Sequence, residues 1–421
     1  MTAASSFPPA TLDRLRRRTV IGLVTGVALG STGHIAAVTV ATIVASELSS
    51  SEELAGAPSA AVVFGAALGA TGLSLLMSRR GRRIGLTAGY AVGVVGAVVA
   101  IVGIVSRNYL LLLLGSLLIG FGNSSNQLSR YVAADLYSVD RRATAIGTVV
   151  WASTIGAVLG PNLVGPSGRV AMAIGLPELA GPYLVPIVLV GLASILSFVR
   201  LRPDPYQLAD HGAVVEAGAT TAAPLRTILA RPSVIVATVA LVVGQFVMVL
   251  IMTMTPLHMT RFGHGLPEVG LVLSAHTFGM FALAPISGRL TDRFGSPRVI
   301  YAATVVLAVS GLLAAVAPAE NNVLLGLALF LLGFGWNLGF VAGSALLTAG
   351  VSLVERTRVQ GFADGLIWST AAVASLGSGV LIAAAGFAAL GLLGAALVII
   401  PAWVLTVRRG ALGEASVAVP G

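Results

Sequence analysis

The octapeptide Gly288-Arg289-Leu290-Thr291-Asp292-Arg293-Phe294-Gly295 places one carboxylate, two arginines and two glycines between apolar stretches. A related tetrapeptide, Ser78-Arg79-Arg80-Gly81, corresponds to Asp292 to Gly295 in the first half of the chain. Gly147 and Gly361 are separated by the same offset as Ser78 and Asp292, and Gly120-Phe121-Gly122 precedes Gly333-Phe334-Gly335 by an offset that differs by a single position. Matches in register predict a duplicated chain, which is typical of secondary transporters whose substrate site lies between the repeats.

The composition indicates a membrane protein. Of 421 residues, 56% are hydrophobic and 10% are charged, whereas about a quarter of a soluble domain is usually charged. Crossing a bilayer takes about 20 apolar residues, and twelve such stretches lie at 19–46, 55–77, 84–106, 109–133, 143–165, 182–199, 233–257, 267–287, 298–318, 322–349, 359–383 and 385–407. We therefore predict an all-α membrane protein with twelve transmembrane helices in two pseudo-symmetric halves of six.

The domain organisation follows from these stretches. We predict a cytoplasmic N-terminal segment (1–18), a first six-helix half (19–200), a cytoplasmic linker (201–232), a second six-helix half (233–408) and a cytoplasmic tail (409–421). Basic loops stay in the cytoplasm, and 22 of the 25 arginines fall on one predicted face; the exceptions are Arg107, Arg169 and Arg261. We expect a multi-pass protein of the cytoplasmic membrane with both termini inside.

Several function classes are disfavoured by the sequence. An enzyme would need a constellation such as HExxH, a cysteine nucleophile or paired carboxylates within the spans, and none is visible. The net charge of +9 does not indicate a nucleic-acid partner, because that requires a basic patch on a soluble fold. We expect a transporter in the lipid bilayer, without a cofactor; a transport-dead receptor or assembly factor is the remaining alternative.

The segment Gly288 to Gly295 resembles the loop signature between spans eight and nine of the major facilitator superfamily, and the resemblance extends over nearly the whole chain. It implies the major facilitator fold and a gating latch in which Asp292, Arg293 and Gly295 hold the cytoplasmic helix ends. A carboxylate near a helix N-terminus and ion pairs that break on switching would form this latch. Arg82 and Arg83 belong to the first-half copy, which we expect to be weaker because Ser78 replaces the acidic residue.

Span five carries a second resemblance. Its Gly147, Gly156 and Gly160-Pro161 resemble the antiporter signature of the superfamily, which implies close helix contact and a bend at Gly160 and Pro161. The following Gly165 comes one residue late, and Ser116 stands where proton-coupled drug exporters commonly keep an arginine. The resemblance of span five favours proton-coupled efflux of small hydrophobic or cationic compounds as the alternative function, whereas Ser116 counts against it.

Methionine and histidine cluster in spans seven and eight. Five of the eight methionines and three of the five histidines lie between residues 248 and 280. Met248 and Met252 are four residues apart, as are His276 and Met280, so each pair shares a helical face. Thioether and imidazole ligands suit Cu(I), and an intramembrane histidine is a functional candidate. The alternative is apolar packing of the methionines around a structural histidine.

The order of the two motifs, MxxxM in span seven and then HxxxM in span eight, resembles the CcoA-like copper importers of the major facilitator superfamily. The resemblance implies inward transport of copper as the substrate. It also implies that Met248, Met252, His276 and Met280 form the copper site, which requires spans seven and eight to run antiparallel side by side.

Accessory positions extend this hypothesis. His34 is related to Met248 by the same offset that relates Ser78 to Asp292. It would face the copper path as an extra ligand or proton acceptor, or else bond a neighbouring carbonyl as a structural histidine. Met254, His258 and Met259 would capture the ion at the outer end of span seven, or pack at the interface.

Three polar residues within the spans have two interpretations each. Asn123 in span four and Asn337 in span ten would line the cavity or form hydrogen bonds between helices. Asp364, near the start of span eleven, would serve in gating or proton coupling, or cap its helix and pair with Arg358. The sequence leaves the coupling ion, a proton or another ion, open.

Overall fold

The computed structural model describes residues 8–49, 57–209, 223–264, 266–318, 320–349 and 351–417. The predicted segments 1–18, 201–232 and 409–421 lie partly outside these described residues. The helices up to residue 200 are α1 (Pro9–Ser49), α2 (Ala57–Arg80), α3 (Arg82–Val105), α4 (Tyr109–Asp135), α5 (Arg142–Trp151), α6 (Ser153–Asn162), α7 (Val164–Ala173) and α8 (Gly181–Arg200). Those that follow are α9 (Pro205–Leu208), α10 (Leu225–Leu229), α11 (Pro232–Met252), α12 (Thr255–Arg261), α13 (Leu266–Phe281), α14 (Ala284–Phe294), α15 (Ser296–Val316), α16 (Asn322–Thr348), α17 (Leu353–Leu397) and α18 (Ile399–Val417).

The described part of the chain contains eleven helical stretches that are long and apolar enough to cross a membrane. The last stretch, Glu355–Arg409, has 55 residues, more than twice the roughly 20 that one span needs. Within it, Gly386 has a φ of 77°, a left-handed conformation that interrupts the helix and that glycine adopts without strain. The stretch is therefore two spans, and the prediction of an all-α protein with twelve transmembrane helices is confirmed.

Proline divides two of the predicted spans. Span seven breaks after Met252, the last residue of α11, and span eight breaks after Phe281, the last residue of α13. In each case a proline follows four residues later, at Pro256 and Pro285. Because proline has no N–H to donate to the carbonyl four residues back, each helix ends where that hydrogen bond is missing. Met252 consequently lies at a helix end.

Two terminal helices are longer than their apolar stretches. The first begins at Pro9 rather than Thr19, and the last continues to Val417. Hydropathy detects only the apolar part of a helix, whereas arginine has a high helix propensity and proline is favoured at the first helical position. The polar turns therefore extend the helices beyond the predicted spans.

The first compact unit comprises Met1–Tyr137, Ala152–Asp210 and Gln360–Ser369. Within it, α3 packs against α4, and α1 packs against α6 and α8. Its core is made largely of small and β-branched side chains, among them Ala37, Val40, Ala97 and Ala100. Small residues let membrane helices approach closely. The unit includes a ten-residue part of α17, which lies far along the chain from its other members.

The second compact unit comprises Ser138–Trp151, His211–Val359 and Thr370–Gly421. Within it, α16 packs against α11, α13 and α15, and α5 packs against α14. The helices that carry the two methionine and histidine pairs, α11 and α13, therefore both pack against α16. This helix positions the candidate site.

Candidate functional site

His276 is fixed against α16 in the second unit. Its side chain is buried, and Nδ1 lies 2.9 Å from the carbonyl oxygen of Leu329. A carbonyl only accepts hydrogen bonds, so Nδ1 is the protonated nitrogen and donates. In the neutral imidazole this leaves the lone pair on Nε2, which is buried and has no hydrogen-bond partner among the described residues.

This arrangement is the one that a metal-binding histidine uses. Such a histidine usually donates its second ring N–H to a carbonyl or carboxylate, which selects the tautomer and orients the ring. An unpaired nitrogen lone pair inside a membrane helix bundle is costly unless a ligand occupies it. The His276 imidazole is therefore oriented to bind a cation or a hydrogen-bond donor.

A glycine contact holds this imidazole in place. A Cβ atom added to Gly333 of α16 would lie 2.2 Å from the carbonyl oxygen of His276 and 2.9 Å from the amide nitrogen of Met280. Only a residue without a side chain permits this approach. The backbone of α13 at the His276 and Met280 pair is thus in direct contact with α16.

The other proposed ligands lie on two helices. Met280 is half-buried, one turn after His276 on α13. Met248 is buried on α11, and Met252, one turn later, is half-buried at the end of that helix. The predicted pairing within each helix is present. In the described part of the chain, however, α11 and α13 each pack against α16 and do not pack closely against each other. The expected side-by-side arrangement of spans seven and eight is therefore not found, and convergence of the four side chains on one ion stays a prediction.

Aromatic and amide side chains lie near these residues on α16. The Trp336 indole N–H donates to Oε1 of Gln245, 2.8 Å away on α11. Its ring is stacked on Phe340, with centroids 4.4 Å apart, and Phe281 meets it edge-on at 6.1 Å. Gln245 was not among the predicted site residues, although an intramembrane amide one turn before Met248 is a signal of function.

Asn337 forms hydrogen bonds between helices. Its Nδ2 donates to the carbonyl oxygen of Met280 at 2.6 Å, and its Oδ1 accepts from the hydroxyl of Ser287. Asn337 therefore ties α16 to α13 and α14, which is the second of its two predicted interpretations.

The first unit has a polar cluster of its own. Tyr90 donates to Oδ1 of Asn126 at 3.0 Å, and Nδ2 of Asn126 donates to Oδ1 of Asn123 at 2.8 Å. His34 on α1 is half-buried, and its Nδ1 is buried without a hydrogen-bond partner among the described residues. No carbonyl in the described part of the chain forms a hydrogen bond with this nitrogen. The expected contact of a structural histidine is therefore not found at Nδ1.

The residues predicted to capture the ion differ in their surroundings. His258 is stacked on Phe387 at 4.2 Å between ring centroids, and it also lies 5.0 Å from the ring of Phe262. Met259 is fully buried, and Met254 is half-buried in the turn between α11 and α12. Packing accounts for Met259 and for the ring of His258.

The Asp292 carboxylate contacts a helix N-terminus within the second unit. Its two oxygens accept hydrogen bonds from the backbone N–H groups of Ala143 (3.0 Å) and Thr144 (2.8 Å) at the start of α5. Gly295 has a φ of 84° and ends α14, while Arg293 is exposed over the ring of Phe294. The expected contact between the carboxylate and a helix N-terminus is present. Neither Asp292 nor Arg293 forms an ion pair with another described residue, so the gating role stays a prediction.

The first-half copy is built differently. Ser78 donates to the carbonyl of Leu75 in its own helix. Arg82 is buried and forms an ion pair with Asp135, with 2.6 Å between NH2 and Oδ2. The backbone N–H of Arg83 donates to Oδ2 of Asp204 at 3.0 Å. Ser78 provides no carboxylate, so Asp135 of α4 and Asp204 after α8 provide the carboxylates instead. The tetrapeptide alone does not reveal these partners.

Span five packs against α1 through its glycines. A Cβ atom on Gly160 would lie 2.8 Å from Cβ of Ile35, so the close contact expected of Gly160 is present. The predicted span corresponds to one apolar stretch, Arg142–Asn162, in which α5 and α6 are separated by the single residue Ala152. Pro161 lies at an exposed position inside α6, one residue before the helix ends.

One predicted pairing is wrong. Asp364 does not pair with Arg358; its Oδ1 lies 2.6 Å from the guanidinium NH2 of Arg130 in the first unit. The two residues are 234 positions apart, so local spacing gave no signal of the contact.

Comparisons with known proteins give a consistent result. The chain matches the profile of the Major Facilitator Superfamily over residues 21–267 and 259–418. It is 35% identical over 410 residues to the uncharacterized MFS-type transporter YddS of Bacillus subtilis, covering 95% of this chain and 93% of that protein. It is 30% identical over 408 residues to the riboflavin transporter RfnT of Brucella anthropi, covering 95% and 98%.

Solved structures share the fold. The human organic anion transporter MFSD10 superposes with a TM-score of 0.72 at 17% identity, covering 95% of this chain and all (100%) of that chain. A bacterial homologue of the iron transporter ferroportin, in its outward-facing state, gives 0.69 at 15% identity, covering 93% and 99%. At such identities the likeness establishes the fold alone.

Proposed function

This chain belongs to the major facilitator superfamily, and from that premise we propose that it imports copper, as Cu(I), across the cytoplasmic membrane. As a secondary transporter of this superfamily it acts on a small substrate by alternating access. Both termini would lie in the cytoplasm, as the arginine distribution favours. Membership of a transporter superfamily also favours transport over catalysis.

One observation carries the copper proposal. The His276 imidazole has Nδ1 tied to the Leu329 carbonyl, and the Nε2 lone pair is buried without a partner among the described residues. Met280 follows one turn later, and Met248 and Met252 would supply two more thioethers from α11, which packs against the same helix, α16. Three soft sulfur atoms and one imidazole favour Cu(I) over Zn(II) or Mg(II). All four ligands are neutral, so the site adds no counter-charge that would oppose release of the ion.

Radiolabelled copper uptake tests this proposal. Cells that express the wild-type chain should accumulate more copper than cells without it, and Met252→Ala and His276→Ala should each remove that gain. Met172→Ala is the matched control, because Met172 is 51% exposed on α7 and belongs to the first compact unit, whereas the proposed ligands belong to the second. Equal copper accumulation with and without the wild-type chain would refute the importer. Increased drug tolerance on expression would instead support efflux.

A flat organic molecule is a second candidate cargo. The Brucella relative is named a riboflavin transporter, and Trp336 stacked on Phe340 offers an aromatic surface beside the amide of Gln245. Stacked rings and a few convergent polar groups are typical of sites for aromatic ligands.

The two cargoes are separated by one assay. Labelled riboflavin uptake should depend on Trp336 and not on Met252 if the organic cargo is correct, and copper uptake should show the reverse dependence if copper is correct. Trp336→Leu and Met252→Ala, each assayed with both labels, distinguish the two.

A further inference from the structure

A short part of α17 is held against α2 and α4 in the first unit. A Cβ atom on Gly361 would lie 2.4 Å from Cβ of Ser74, and one on Gly365 would lie 2.9 Å from Oγ1 of Thr71. The contact is therefore close at two positions about one helical turn apart. It involves the ten residues Gln360–Ser369, whose neighbours in sequence on both sides belong to the second unit.

A buried ion pair fastens this contact. Oδ1 of Asp364 accepts hydrogen bonds from Arg130 NH2 at 2.6 Å and from the Tyr131 hydroxyl at 3.1 Å. The side chains of Arg130 and Asp364 are each only 2% exposed. A buried pair of this kind is stable only while both charges are present, because either charge alone carries a large desolvation cost.

Arg130 has partners on its own helix as well. Its NH1 donates to the carbonyl oxygen and to Oε1 of Gln127, at 2.6 and 3.2 Å, and its NH2 also donates to the Tyr131 hydroxyl at 2.9 Å. The guanidinium lies over the Tyr131 ring, 4.2 Å from its centroid. If Asp364 became neutral, Arg130 would still be solvated by α4. Asp364 is thus the member of the pair whose charge can change.

Buried polar atoms line the same contact. Oδ2 of Asp364 and both amide atoms of Gln360, one turn earlier on α17, have no hydrogen-bond partner among the described residues, and neither has the hydroxyl of Ser74. Such atoms are normally satisfied by ordered water. Water at these positions would give a proton a route to the Asp364 carboxylate.

The second unit has no equivalent of this pair among its described residues. The positions related to Arg130 and Asp364 by the internal repeat are Ser344 and Val150. In the second unit, the segment Ser138–Trp151, whose neighbours in sequence belong to the first unit, is held by Asp292, which accepts two backbone hydrogen bonds. The charged pair is therefore specific to one half of the duplicated chain and does not follow from the repeat.

We propose that Asp364 binds the coupling proton, and that its protonation releases α17 from α4. A proton from water adds to the carboxylate oxygen, the carboxylate becomes a neutral acid, and the Arg130 guanidinium keeps its charge and its hydrogen bonds to Gln127 and Tyr131. No other bond forms or breaks. The ion pair that joins the two helices is lost, so residues Gln360–Ser369 can separate from α2 and α4. This deepens the proposed transport function, because it identifies the driving ion and its site.

The charged and titratable groups around Asp364 are consistent with this role. From α4 they are Arg130 and Tyr131; from α2, Arg79 and Arg80 lie exposed in the last turn; on α17 itself, Arg356 and Arg358 precede it. Asp135, the other buried carboxylate of α4, is already paired with Arg82. Asp364 is the carboxylate that joins α17 to α4.

A spin-label experiment tests the release without any cargo. The chain contains no cysteine, so the Leu75→Cys and Phe362→Cys variant takes two nitroxide labels without background. Both positions are exposed on α2 and α17, close to the Ser74 and Gly361 contact. We expect dipolar broadening of the spectrum at alkaline pH, which decreases as the pH falls.

Substitutions identify the group responsible. Asp364→Asn should remove the broadening at every pH, whereas Asp292→Asn, the matched change in the other latch, should leave its pH dependence intact. The double variant Asp364→Asn with Arg130→Gln avoids an unpaired buried charge and should behave like Asp364→Asn. The proposal would be overturned if the broadening did not change with pH while Asp364 is present. It would also be overturned if either Asp364 variant kept the pH response.

A transport assay separates coupling from a structural role. In proteoliposomes with a pH gradient of about one unit, one-to-one coupling drives about tenfold accumulation. The double variant should lose this accumulation and retain exchange of labelled for unlabelled copper or riboflavin, whichever the wild type moves. Loss of both activities in a variant that elutes as a single folded species would contradict proton coupling at Asp364. If the wild type moves neither label, the cargo proposal fails, and the spin-label result still decides the proton site.

Discussion

Replacement of Gly333 by alanine tests whether close contact between α16 and α13 positions His276. The added Cβ would lie 2.2 Å from the His276 carbonyl oxygen, and contacts under 3.0 Å are essentially never seen. The obstacle is backbone, so no side-chain rotation relieves it. We expect α13 to move away from α16 at this level and the 2.9 Å contact between His276 Nδ1 and Leu329 to break.

The magnitude follows from this geometry. To restore an ordinary contact, α13 must move about 1 Å away from α16. Overpacking of this size costs about 1–3 kcal/mol of unfolding free energy. Loss of the imidazole hydrogen bond adds about 1 kcal/mol. Alanine returns at most about 1 kcal/mol by restricting the unfolded chain. The net loss of unfolding free energy is about 1–3 kcal/mol, which lowers the melting temperature of a 421-residue chain by roughly 1–3 °C.

The assay is the intrinsic tryptophan fluorescence of the purified protein during heating. Gly326→Ala is the matched control, because it lies on the same helix and faces the same partner, yet its Cβ would sit 3.8 Å from Val272, an ordinary contact. Gly326→Ala should leave the melting temperature unchanged or raise it. If Gly333→Ala were equally well tolerated and retained full transport, the argument that this contact orients His276 would be refuted.

Three further changes have defined expectations. Asp292→Ala should lower the free energy of unfolding by about 1–2 kcal/mol, because two N–H groups at a helix N-terminus lose their acceptor. Asp292→Asn keeps one acceptor oxygen and should lower it less. Arg82→Ala should cost about 3–5 kcal/mol because Asp135 loses its buried counter-charge, and adding Asp135→Leu should recover most of that loss in the same measurement. Trp336→Phe removes the indole donor to Gln245 and should lower unfolding free energy by about 1 kcal/mol; an unchanged melting curve would show that this bond contributes nothing.

The architecture could be predicted from the sequence because this fold depends on local and periodic properties of the chain. Apolar stretches long enough for a bilayer and the internal repeat are both visible in one dimension. Breaks inside the spans were harder to predict, although Pro256 and Pro285 end α11 and α13 as proline chemistry requires. Hydropathy alone merges such helices, since the broken turn remains apolar.

The candidate site was predicted in part. Helical spacing placed His276 and Met280 on one turn, and the motif of Asp292 identified a carboxylate that contacts a helix N-terminus. The partner of Asp364 could not be predicted, because Arg130 is 234 residues away and Arg358 is close in sequence. Contacts between distant helices depend on packing geometry, which periodicity does not encode.

The two latches also differ in how they can be released. Asp292 is half-buried and binds neutral N–H groups, which water can replace at little cost. The pair of Arg130 and Asp364 is buried, so separating it as two charges would carry the full desolvation penalty of each ion. Protonation of Asp364 removes one of those charges before separation and leaves only the Arg130 guanidinium, which keeps its hydrogen bonds on α4. We therefore expect the pair of Arg130 and Asp364 to respond to pH and the Asp292 contact to open independently of it, which makes the duplicated chain functionally asymmetric.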